Sequence, residues 1–347
     1  MATVLTAPET LQGTALYKKT LGCLIGGIVG DAMGTPCEGK TYQWIEQNLG
    51  WVEDFTSDGT DDTVMKDLLA RALIKTDGQA TLDDWAAVML EDWEAIFGPK
   101  LGKFFVSVIH MAHKLRRHSV PRMAALGNMP SSSSAMCISP VGMVNACDPR
   151  GAATQAYNLA SLIHVHDVGF CQDGAAAMAA AVAEAYRPGA SVASVLEAAT
   201  AYIPRLSGAE MLSAIERMMA LARESGEYKA FRAAAYARAD ELFCRITCDS
   251  RETVPLTLAL FYLADGEIER SIAYGANFGR DADTVASMVG AIAGALHGVD
   301  KIKPAWLQKI EQYSKRDQPA MAAELAAVAL KKRQAAAEVA RSFATIA

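Results

Sequence analysis

The sequence predicts an all-α protein, a large single-domain orthogonal helical bundle. Three observations carry that expectation. Residues 82–97 and 211–221 repeat apolar side chains at spacings of three and four, the period of a helix with one buried face. Ala, Leu, Met, Glu and Lys, the residues that lose least on entering a helix, dominate such windows. Alternating runs of Val, Ile, Thr and aromatic residues bounded by hairpin signals are almost absent, so a sheet has little to form from.

Taken in chain order, residues 1–13 form a flexible N-terminal segment without the basic and apolar regions of a secretory leader. The helical stretch that follows carries Gly26, Gly27, Gly30 and Gly34. Small residues at spacings of three and four let helices approach closely. No strand precedes these glycines and no βαβ unit follows, so they are not a dinucleotide fingerprint. Loops are expected at 34–36, 51–59, 127–140, 187–189 and 275–280, where Gly, Pro, Ser and Asp cluster. Apolar helices are expected over 64–74 and 285–296, the second with Gly290 and Gly294 placed like the earlier glycines. Residues 318–343 read as an Ala-rich charged helix that packs either on the body or on a neighbouring subunit. No linker divides the chain, which gives one domain over 14–312 and a helical extension over 313–347.

The 347 residues are 51% hydrophobic and 21% charged, enough for a large core and unlike a disordered or fibrous chain. The net charge is −6 and the basic residues are scattered, so no surface for a phosphate backbone is visible and nucleic acid is not expected as a partner. Seven cysteines, an odd number without zinc-site pairing, point away from a disulfide framework and toward a reducing, cytoplasmic setting. The longest apolar stretches, 284–299 and 174–186, are shorter than the roughly 20 residues that span a bilayer, so no membrane association is expected.

Two acidic segments stand out. Asp58-Gly59-Thr60-Asp61-Asp62-Thr63 and Gly279-Arg280-Asp281-Ala282-Asp283-Thr284 each precede an apolar helical pattern, so both sit at helix N-termini. Each alone reads as a helix cap, since Asp and Thr are favoured there and first-turn carboxylates suit the helix dipole. Together they place the four carboxylates of Asp61, Asp62, Asp281 and Asp283 and their neighbouring hydroxyls on two loops. If the loops face each other, repulsion calls for cations between them. Oxygen donors without His or Cys select magnesium, manganese or calcium over zinc or copper. The loop spacing and closing Glu of an EF-hand are missing.

Three stretches, read together, resemble the ADP-ribosylglycohydrolases, a family that includes the dinitrogen-reductase-activating enzymes and the J1-type lens crystallin. They are 21–38 (LGCLIGGIVGDAMGTPCE) with its Gly-Asp-Ala-x-Gly turn, 59–65 (GTDDTVM), and 277–298 (NFGRDADTVASMVGAIAGALHG), with Glu252-Thr253-Val254-Pro255 upstream also fitting. The resemblance covers roughly residues 16–307. It implies an all-α fold with a two-metal site between helix N-termini, holding two Mg²⁺ or Mn²⁺ on Thr60, Asp61, Asp62, Asp281, Asp283 and Thr284. It also implies that Glu38 faces the scissile bond, with Glu38 and Asp62 handling protons. Residues 127–142 (GNMPSSSSAMCISPVG) resemble the segment that cradles phosphate and ribose. Ser132, Ser133, Ser134 and Met136 would touch substrate there, and His164 stands where the family has a contacting His. Members commonly carry Arg after the Met, where this chain has Cys137, which removes a guanidinium from the cradle.

The activity implied is metal-dependent hydrolysis of the ribosyl bond of an ADP-ribosylated protein or ADP-ribose derivative, by a monomer or homo-oligomer. The lost Arg leaves a nucleoside or small riboside as an alternative substrate. A non-catalytic, ADP-ribose-binding or crystallin-like protein is a further alternative, opposed by the complete ligand set and Glu38. An isoprenoid synthase would need a second acidic helix motif and basic residues for diphosphate, which 281–290 do not supply.

Overall fold

A computed structural model describes residues 11–347; residues 1–10 of the expected N-terminal segment lie outside the described residues. The described chain folds into eighteen α-helices with short 3₁₀ turns between them, and its only extended pairing is an isolated bridge between Thr41 and Gly279. The all-α expectation is met.

The helix Ala15–Gly34 and the helix Ala282–His297 form the centre of the bundle, buried along most of their lengths. They run antiparallel, and glycines set their separation. A Cβ on Gly22 would lie 2.5 Å from the Gly294 carbonyl, on Gly26 2.2 Å from that of Gly290, and on Gly30 2.0 Å from that of Ala286. Backbone thus meets backbone, which only glycine allows. The close approach expected from the glycine spacing is met, and the structure adds that the two glycine runs face each other. The last pair is Gly34 against Asp283, with a Cβ position 2.3 Å from the Asp283 Cα. Close approach therefore continues to the point where one acidic segment starts.

Three local expectations need correction. The Gly-Asp-Ala-x-Gly run is not a turn but the final helical stretch of Ala15–Gly34. The window 82–97 is split at Asp92 into Leu82–Glu91 and Trp93–Phe97, with Arg71 paired to the Asp92 carboxylate at the break. The helices expected from 64 and 285 begin at Asp61 and Ala282, so the acidic residues lie within the first turns. Helix propensity falls at Asp, which hid these starts from periodicity.

The helix Gln318–Ala344 buries Ala322, Ala323, Leu325, Ala326, Val328 and Ala329, lying against the opening helix, the helix Asp61–Lys75 and the helix Ser139–Val144. Residues 334–347 stand exposed. All seven cysteines are unpaired. Among the described residues no helix is long and apolar enough to cross a membrane.

Candidate metal and active site

Three helix ends meet at one place: the C-terminal end of Ala15–Gly34 and the N-terminal ends of Asp61–Lys75 and Ala282–His297. The antiparallel glycine contact brings the first and third together. Asp31 brings the second. Its buried carboxylate accepts from the Thr60 amide at 2.8 Å, the Thr60 hydroxyl at 2.7 Å, the Thr63 amide at 3.1 Å and the Thr63 hydroxyl at 2.6 Å. A residue of one helix thus caps another, satisfying amides that a helix start leaves without partners.

Because Asp31 does the capping, the acidic segment is released from it. Neither Thr60 nor Asp281 makes a side-chain cap bond, although each stands at the N-cap. Two hydroxyls instead link the segments to each other. The Thr60 hydroxyl also lies 3.3 Å from Asp283 Oδ2, and the Thr284 hydroxyl donates to Asp62 Oδ2 at 3.2 Å. Thr60, Asp61, Asp62, Asp281, Asp283 and Thr284 are all buried, with exposures between 1% and 6%. The two segments, far apart in sequence, form one cluster.

Its electrostatics are unfavourable as they stand. Burial first, then the charges of neighbouring carboxylates, hold Asp61, Asp62 and Asp283 well above the ordinary carboxylate range. Burial, with the Glu38 charge adding to it, pushes Asp281 up to about 7. Asp62 Oδ1 and Asp283 Oδ1 are buried without any hydrogen-bond partner. Orphaned buried carboxylate oxygens are costly, and they are the donors a hard cation takes up. The carboxylates stand apart: among the described residues no three Asp, Glu, His or Cys side chains converge on a common point at ligating distance. The Thr60 and Thr284 hydroxyls are the further oxygens available. The donor set is all oxygen, the chemistry that a hard divalent cation takes.

One ammonium, Lys66, is buried beneath the cluster and donates to the Ser287 hydroxyl at 3.0 Å. Gly27 makes room for it, since a Cβ there would lie 2.5 Å from Lys66 Nζ. Above the cluster stands Glu38, about two-fifths exposed and paired with Lys103 at 3.0 Å. Its charge acts on Asp61, Asp281 and Asp283, which places it at the rim of the same site.

The serine run is not a flexible loop. Ser131, Ser132, Ser133 and Ser134 are all buried and interlocked. The Ser131 hydroxyl meets Ser107 Oγ, Ser133 Oγ and His164 Nε2, each at 2.9 Å, while the Ser134 hydroxyl meets His164 Nδ1 at 2.8 Å. The Ser132 hydroxyl donates to Asp281 Oδ2 at 3.1 Å, which joins the loop to the acidic cluster.

His164, expected to touch substrate, has no exposed surface and both ring nitrogens taken, so it supports the serine run from behind. Burial lowers its pKa to about 3, so the ring is neutral. Ser133, Ser134 and Met136 also face inward, and of the expected substrate residues Ser132 is the one bonded to the cluster. Cys137 is fully buried with its thiol donating to the Ser133 carbonyl. Sequence reasoning missed Asp31, Lys66, Ser107 and Asn128, whose amide donates to the Ser107 and Ile163 carbonyls at 3.1 and 2.8 Å. Only Asp31 left a signal, an acidic residue in the apolar stretch that ends the helix Ala15–Gly34.

With this geometry in place, comparison with known proteins becomes informative. The family model described as ADP-ribosylglycohydrolase matches residues 12–336. The chain is 27% identical over 325 residues to the Escherichia coli (strain K12) protein named "Uncharacterized protein YegU", covering 86% of this chain and 94% of that one. It is 24% identical over 336 residues to ADP-ribosylhydrolase ARH3 of Bos taurus, covering 85% and 89%. Among solved structures, one titled "ADP-ribosylglycohydrolase-related protein complex" superposes with a TM-score of 0.61 over 90% of this chain and 99% of that chain, at 19% identity, which speaks for the fold alone.

Proposed function

Because the chain belongs to the ADP-ribosylglycohydrolase family, we propose that it is a glycosyl hydrolase that cleaves the ribosyl bond of an ADP-ribosylated protein or ADP-ribose derivative at the junction of the three helix ends. The observation that carries this reading is the contrast between a buried, oxygen-only cluster with orphaned carboxylate oxygens and the exposed carboxylate of Glu38 at its rim.

Thr60, Asp61, Asp62, Asp281, Asp283 and Thr284 are the residues that would hold two divalent ions. Bound there, magnesium or manganese supplies a Lewis acid that orients sugar hydroxyls and lowers the pKa of water. Cleavage of a ribosyl bond passes through an oxocarbenium-like state, which needs a proton donor or acceptor beside the leaving bond and negative charge near the sugar. Glu38 would handle the proton. Its exposure lets substrate reach it, and its pairing with Lys103 keeps the carboxylate at the rim. Asp62 is enclosed, with one oxygen bonded by Thr284 and the other free, which suits holding a cation better than carrying protons to solvent. The Ser132 hydroxyl orients Asp281, and the Ser131–His164–Ser134 chain braces that serine loop.

A second reading, a nucleoside or small riboside as substrate, is favoured by Cys137. The position that the resemblance gives to an Arg holds a buried thiol, which brings no charge to a phosphate. One experiment separates the two. The protein is incubated with magnesium and a panel of ADP-ribosylated proteins, O-acetyl-ADP-ribose and nucleosides, and released ribose species are followed by chromatography. Release of ADP-ribose supports the first reading and release of ribose from nucleosides the second. Metal-dependent release from none of them contradicts both.

A further inference from the structure

Arg280, the residue before Asp281, has φ +63°, in the left-handed region that glycine enters freely and long side chains rarely adopt. The other non-glycine residues there are Asp77, His118, Cys147, His166 and Asp265, so Arg280 is the one with a long side chain among the described residues. Backbone held in this region persists only where the surroundings over-determine it.

Its side chain shows what holds it. Nε and Nη2 donate to the two oxygens of Glu252, each at 2.7 Å, a forked pair, and Nη2 also donates to the Cys244 carbonyl at 2.8 Å. Glu252 is buried on the helix Ser250–Leu263 and accepts the Cys244 amide at 2.7 Å as well. The guanidinium lies over the Phe243 ring at 4.6 Å.

The backbone of Arg280 shows what is being held. Its amide donates to the Lys40 carbonyl at 2.8 Å, and its carbonyl accepts the Gly39 amide at 2.7 Å. These two bonds fasten the turn that carries Glu38. The next residue is Asp281.

We propose that Arg280 and Glu252 form a positioning clamp that fixes the Glu38 turn against Asp281, so that the rim carboxylate and the buried acidic cluster keep one separation. Neither residue touches substrate. The fork gives the clamp direction as well as strength, which a point charge on Lys lacks. The inference rests on the reading of Asp281 as a metal ligand and of Glu38 as the proton-handling group.

The test compares wild type with Arg280→Gly, Arg280→Lys and Glu252→Gln. Glycine suits the backbone at this position, so Arg280→Gly removes the clamp without new strain. Three quantities are read: magnesium and manganese affinity by calorimetry without substrate, hydrogen exchange of the amides at positions 39 and 280 in metal-free protein, and kcat against KM. Arg280 holds the backbone next to Asp281, so losing its side chain is expected to weaken metal binding roughly tenfold or more, as loss of the groups that orient a ligand does. Exchange at both amides should quicken, and kcat should fall while KM stays nearly constant. Arg280→Lys should restore only part of each. Glu252→Gln, which keeps the shape of the partner, gives the same readings should Arg280→Gly not fold. Folded variants with wild-type metal affinity and wild-type exchange overturn the clamp. A wild-type protein that takes up neither cation overturns the ligand reading of Asp281 instead, and the exchange rates then decide the clamp alone.

Discussion

Thr60 gives both its backbone amide and its hydroxyl to Asp31, at 2.8 and 2.7 Å, so a carboxylate of the opening helix caps the helix that carries Asp61 and Asp62. That bond pattern frees the acidic segment from capping its own helix. Asp31→Asn should therefore cost about 1–2 kcal/mol, the scale of a lost N-cap. Part of that cost should be offset without metal, because the substitution also removes a negative charge that acts on Asp61, Asp62 and Asp283. Chemical denaturation with and without magnesium measures both. Equal losses in the two conditions would separate Asp31 from the cluster.

Glu38→Gln keeps the size of the side chain and removes its proton chemistry. Turnover should drop by roughly 10²-fold or more, the scale of general acid–base catalysis. Metal-dependent thermal stabilisation should persist, since Glu38 stands at the rim and the proposed ligands lie below it. Unchanged turnover would remove Glu38 from the mechanism.

Gly30→Ala would place a Cβ 2.0 Å from the Ala286 carbonyl, in a contact between two buried backbones. Overpacking of this kind costs about 1–3 kcal/mol, and more where neither side can move. The central helices should separate near their site end, so metal affinity should fall along with the melting temperature. A variant as stable as wild type would show that the helices have slack.

His164 gives a pH dependence with a definite sign. Burial lowers its folded pKa to about 3, below the ordinary value of 6.5. The unfolded chain therefore binds a proton first as pH falls. The contribution of the neutral ring is fully present above about pH 6.5 and is lost as pH falls toward 3, by about 1.4 kcal/mol per pH unit. The carboxylate cluster titrates in the opposite sense, so the quantity to measure is the difference in unfolding free energy between wild type and His164→Asn from pH 7 to 5. A difference that does not change with pH would mean that the ring protonates without penalty.

What the sequence disclosed follows from how local each signal is. The glycine spacing disclosed two close-packing helix faces, because Gly26, Gly30, Gly290 and Gly294 repeat at helical periods within single segments, but not that the two faces meet. The acidic segments were legible for the same reason. Asp31 was not, because its partners Thr60 and Thr63 are 29 and 32 residues away and nothing at position 31 announces them. The serine run reads as a hydrogen-bonding loop, but its partners Ser107, His164 and Asp281 reach it from three other parts of the chain and leave no mark at the serines themselves. The fork from Arg280 to Glu252 spans 28 residues, and the left-handed backbone beneath it has no sequence signature when the residue is not glycine.

The central claim is that the buried oxygens of the two acidic segments are a divalent-cation site, and calorimetric titration of metal-free protein with manganese tests it most directly. Wild type should bind two ions per chain, and binding at 100 times the dissociation constant should stabilise the fold by about 2.7 kcal/mol. Asp61→Asn and Asp281→Asn should each lose at least one ion and most of the stabilisation. A wild-type protein that binds no manganese, or variants that bind it as wild type does, would contradict the claim.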